Sequence, residues 1–118
     1  IKNIGHKIQF RKITDKDETS DSIIFFLPKK KYVKKTLSFM SEKNIPIKII
    51  PDAIKWHFSY HWRHMWDNKI TFDKERRKWI KSKNLLDRTI CLPINVLDKK
   101  KDLLRNADLL SSFLKKNI

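Results

Sequence analysis

The chain has 118 residues, 40% apolar and 35% charged, a size and balance that suit one folded domain (1–118) and not a disordered segment. The single cysteine, Cys91, excludes an internal disulfide framework, and the longest apolar run, 23–27, is far too short to cross a membrane. The net charge of +15, from 28 basic and 13 acidic residues, draws the chain towards polyanions or anionic substrates, although its lysines are spread along the sequence and form no single stripe.

In chain order, "KIQFRKI" (7–13) alternates apolar and polar residues and predicts a short strand. "TDKDETSDS" (14–22) has no apolar member and predicts a solvated loop. "IIFFL" (23–27) is β-branched and aromatic throughout, as in a strand covered on both faces, and Pro28 ends it. Val33, Leu37 and Met40 then recur at i, i+4 and i+7, predicting an amphipathic helix within 29–43. "NIPIKII" (44–50) returns to strand character. "TFDKERRKWIKSKNLL" (71–86) predicts a helix capped by Thr71 or Asp73. "TICLPI" (89–94) predicts a strand interrupted by Pro93, where no amide hydrogen is available for pairing. Leu103, Ala107, Leu110 and Leu114 predict a final helix over 98–117, with Lys115 and Lys116 at the end that its dipole favours. The expected product is an α+β domain, a small antiparallel or mixed sheet with helices packed on one face.

The segment "IKWHFSYHWRHMWDN" (54–68) stands apart, with three tryptophans and three histidines. If 54–67 were helical, His57, His61 and His64 would share one face beside Phe58, Trp62 and Met65. Three histidines spread over two helical turns converge poorly on one ion, and no Glu is placed as in H-E-x-x-H, so a metal site is not expected. A nucleic-acid platform would stack bases on the Trp and Tyr rings, with Arg63, Arg76 and Arg77 on phosphates. The chain has no RNP motif, GXXG loop or helix-turn-helix spacing, which makes nucleic acid an unlikely partner. The neighbours of Cys91 (Ile90, Leu92 and Pro93) predict a buried, inert thiol.

The order of segments carries a resemblance. "LSFMSEKNIPIKII" looks like a helix running into a strand that ends near an active site. "WHF" (56–58) lies where a histidine-bearing turn follows, and "ICLPINVLDKKKDLL" is similar to an "LP" strand opening a last helix. Together they resemble the C-terminal small domain of the DegT/StrS family of pyridoxal-phosphate (PLP) sugar aminotransferases, over nearly the whole chain. The "PDAIKWHF" form resembles the branch that aminates octulosonate-type sugars more than the nucleotide-hexose branch.

The resemblance implies a cytoplasmic transaminase of surface polysaccharide synthesis, likened to fold type I PLP enzymes. PLP and its Schiff-base lysine would lie on a large domain outside these residues, so no catalytic, cofactor-binding or metal-binding residue is assigned here and the chain alone is expected to be inactive. Ile1 follows no initiator Met, as expected of a processed product or a segment of a longer chain. The implied partners are that large domain, a second copy in a homodimer and an anionic sugar; no membrane is involved. The implied substrate contacts are His57, a hydrogen-bond donor to the sugar, Trp56, a flat wall for its ring, and His61, one turn on. Trp62, His64 and Trp66 would pack against the large domain or a second subunit. The alternative from composition is a free-standing basic module that binds RNA or another polyanion.

Overall fold

The computed structural model of the protein describes residues 8–15, 17, 21–48, 55 and 57–118. It is an α+β fold with a three-stranded antiparallel sheet in the order β1 (Gln9–Phe10), β2 (Ser22–Phe26), β3 (Thr89–Pro93). Helix α1 (Lys31–Glu42) follows β2 and helix α4 (Lys100–Asn117) follows β3. Between them lie α2 (Lys69–Glu75) and α3 (Ile80–Leu86), preceded and joined by single 3-10 turns. Among the described residues, no helix is long and apolar enough to cross a membrane.

The sheet is centred on β2, as expected of its unbroken apolar run. Ile23 faces Leu92 and Phe25 faces Ile90 across the β2–β3 pair. Because side chains alternate along a strand, these four share one face. Phe25, Ile90 and Leu92 join Val33 and Met40 of α1 and Leu110 and Leu114 of α4 in the main core, with Ile23 packed against it. Both long helices therefore cover that face. The other face is not bare, since Phe26, Thr89 and Cys91 are also buried. Backbone bonds extend the ladder at both ends, from the Leu27 amide to the Arg88 carbonyl at 2.8 Å and from the Ile94 amide to the Asp21 carbonyl at 2.7 Å. Ser22, placed in a loop by the sequence, instead opens β2 and is buried. The first strand is shorter than expected, with Gln9 and Phe10 pairing Phe26 and Phe25.

The end of α1 explains how the chain turns. Asn44 takes a positive φ of 54°. The Asn44 amide donates to the Ser41 carbonyl at 3.1 Å and the Ile45 amide to the Met40 carbonyl at 2.8 Å. This double bond pattern is a Schellman stop, and Asn tolerates the left-handed residue that it requires. Ile45 and Met40, brought together by it, both enter the core. The strand expected over 44–50 is not regular where it is described. Residues 45–48 instead place one bond on the outer edge of β3, from the Lys48 amide to the Cys91 carbonyl at 3.0 Å. Residues 49 and 50 lie outside the described residues. Helices α1 and α4 are joined by stacked rings of Phe39 and Phe113, 4.1 Å apart and 12° from parallel.

The radius of gyration, 16.5 Å, exceeds the ~13.5 Å expected of a compact chain of this length. The excursion through 57–86 builds a small nucleus of its own. Phe72 of α2 is wholly buried, yet it stands apart from the main core. Trp66 and Trp79 meet its ring at 5.4 and 6.2 Å, both near edge-on.

Candidate functional site

The histidine-bearing segment is not one helix. Phe58 is extended, with φ −116° and ψ 112°, and Trp66 is extended again. Between them run two single 3-10 turns, Ser59–His61 and Arg63–Met65, separated at Trp62. The physical reason is local. Trp, Tyr, Phe and His are indifferent helix formers, and no cap side chain anchors either turn. A three-residue repeat also brings Phe58 and His61 onto one side, where their rings meet at 6.1 Å. The expected common face of His57, His61 and His64 is thereby lost.

The sequence-predicted residues fall as follows. His57 and His61 are both exposed. His61 stands edge-on to Tyr60 at 5.2 Å, and Tyr60 stacks on Phe58 at 5.7 Å. His64 goes elsewhere, lining a separate cleft of about 410 Å³ with Lys55, Trp62 and Met65. Trp66, expected at an interface, is occupied within the chain by Phe72. Trp56 lies outside the described residues. Among the described residues, no three His, Cys, Asp or Glu side chains gather as a metal-ligand set.

Helix α2 starts earlier than expected. Its cap is Asn68, whose Oδ1 accepts from the Thr71 amide at 3.0 Å, and neither Thr71 nor Asp73 fills that place. The shift frees Asp73 for another task. From the middle of α2 it takes the Arg63 guanidinium at 3.2 Å and that of Arg76 at 3.8 Å. The helix expected over 71–86 is broken at Arg76–Trp79 by a 3-10 turn, which reorients the basic residues there. Arg76 lies over the Tyr60 ring, 4.9 Å from its centroid, and Lys83 lies 5.7 Å from the same ring.

These elements enclose a cleft of about 540 Å³ lined by Tyr60, Asp73, Arg76, Arg77 and Ile80. The arginines were visible in the sequence. Asp73 was read only as a helix cap, Tyr60 only as a stacking ring and Ile80 not at all, and only the Asp73–Arg76 spacing of one helical turn hinted at their association. No described lysine is buried, and the half-buried pair is engaged. Lys69 donates to the carbonyls of Trp66 and His64, and Lys83 holds Asp87 at 2.5 Å. An imine-forming lysine needs a cofactor held against it in a shielded site, and no described lysine stands in such a place.

Comparison with protein-family models, with curated proteins and with solved structures found no match.

Proposed function

We propose that this chain is the substrate-facing small domain of a PLP-dependent sugar aminotransferase, contributing one wall of the cleft in which a keto or aldehyde sugar is aminated. The observation that carries the reading is the placement of the 57–80 segment. The sheet with α1 and α4 has a complete core of its own. Tyr60, Arg76 and Arg77 are held outside it around an open cleft, and the rings of Phe58 and His61 pack against Tyr60. A polar, aromatic-lined surface on a rigid scaffold is the usual construction of a ligand wall.

In this reading the cofactor and its lysine belong to a large domain, the substrate is an octulosonate-type or nucleotide sugar, and the intact enzyme is a cytoplasmic homodimer. His57 and His61 present imidazole nitrogens to sugar hydroxyls, and Trp56 supplies a ring-sized flat surface. The cationic cleft beside Tyr60 favours a sugar that carries a negative charge. Closure of this wall would shield the reaction from water.

The test is amino transfer to such sugars by the intact enzyme. Replacing His57 by Ala is expected to lower sugar turnover about three- to tenfold, the value of one ordinary hydrogen bond, without releasing cofactor. Unchanged kinetics would take His57 out of the site. A gene product of this length with no PLP-binding domain beside it would end the proposal.

A further inference from the structure

We infer that the cleft between Tyr60 and Arg77 is an oxyanion-binding site with Arg77 as its principal contact. Its lining carries two guanidinium groups and one carboxylate. That carboxylate, Asp73, is already shared by Arg63 and Arg76. Asp73 therefore offers little neutralisation to Arg77, whose guanidinium makes no ion pair or hydrogen bond among the described residues. The Tyr60 hydroxyl likewise has no hydrogen-bond partner among them. The cleft thus offers donors and positive charge while its one carboxylate is taken. The complementary ligand brings acceptor oxygens and negative charge, as a carboxylate or a phosphate does.

Arg76 is ordered in advance. It is held from one side by Asp73 and lies over Tyr60, so less side-chain freedom is lost when an anion arrives. Ile80, 44% exposed, adds an apolar edge beside the charged one. An oxyanion attached to a carbon skeleton uses both. This site stands on the cleft alone and does not depend on the aminotransferase reading.

The experiment is titration of the full chain, followed by amide shifts and calorimetry, with inorganic phosphate, with a hexuronic acid and with a uridine diphosphate sugar in separate arms. Saturable binding with amide shifts at 60, 76 and 77 is expected in at least one arm, and the arm that binds identifies carboxylate or phosphate as the source. Arg77→Gln is expected to weaken that binding about tenfold or more, as loss of a charge-assisted bond does. Lys116→Gln, which removes the same charge from the end of α4, is expected to leave it unchanged. Equal weakening by both variants would mean a general response to the net charge of +15 and would overturn the site. So would the absence of saturable binding in all three arms.

Discussion

In the sheet body, Leu27 and Met40 are wholly buried, and Phe25, Ile90 and Leu110 close in on the same core from both strands and α4. In the 57–86 excursion, Phe72 alone reaches that state among the described residues, held by the edges of two half-buried tryptophans. The two regions also divide their polar groups differently. Body lysines lie mostly on exposed helix faces, whereas two excursion arginines, Arg63 and Arg76, are tied to Asp73, and Arg76 also lies over Tyr60. A core assembled from several elements tolerates no local slack, because packed interiors transmit strain. A nucleus of one phenylalanine leaves its surroundings open, and that openness is where the cleft forms.

The junction between them is small and specific. Arg88 donates to the Leu27 carbonyl at 2.7 Å, and Thr89 Oγ1 donates to the Leu85 carbonyl at 2.9 Å. Asp87 holds both Lys83 of α3 and Lys30 at the start of α1. These bonds fix the end of the excursion to the end of β2.

If the two regions are separate in energy as they are in packing, Phe72→Ala loosens one and spares the other. Such truncations cost about 3–5 kcal/mol. Hydrogen exchange is expected to quicken across 57–86 while the strands and α4 keep their protection. Uniform loss of protection would show that the chain unfolds as one unit. Met40→Ala, with about 2–5 kcal/mol at stake, should do the converse and lower the denaturation midpoint of the whole chain. A loss confined to α1 would contradict the shared core.

The smallest effect concerns the junction. Burial raises the affinity of Asp87 for its proton, but the hydrogen bonds and charges of Lys83 and Lys30 outweigh it and hold the carboxyl below its ordinary range. A depressed folded-state value gives stability that is present above the unfolded value of about 3.9 and is lost as pH falls through the folded one. Asp87→Asn is expected to cost about 1 kcal/mol at neutral pH and to flatten the acid limb of stability below about pH 4. An acid limb of unchanged slope would remove Asp87 from the junction.

Much of the body was legible because its signals are local and periodic. Strand β2 follows from five consecutive apolar residues, and α1 and α4 follow from stripes at helical spacing. Even so, Thr36 is 1% exposed without belonging to the apolar stripe. Its hydroxyl bonds back to the Tyr32 carbonyl at 2.9 Å, which lets a polar side chain enter the core. The excursion was legible only in composition. A helical reading put three histidines on one face, whereas the chain of weak helix formers takes 3-10 turns in which the Phe58 and His61 rings meet.

The sequence by itself determined the α+β class, the long helices and their buried stripes, the central strand and the burial of Cys91, because each depends on neighbours within a few residues. Tertiary structure alone decided which of the basic residues share a cleft. Tyr60 meets Arg76 across sixteen positions, and Asp73 reaches back ten to Arg63. No local period encodes those distances; they are set by the turn at Phe58, the cap at Asn68 and the burial of Phe72, acting together.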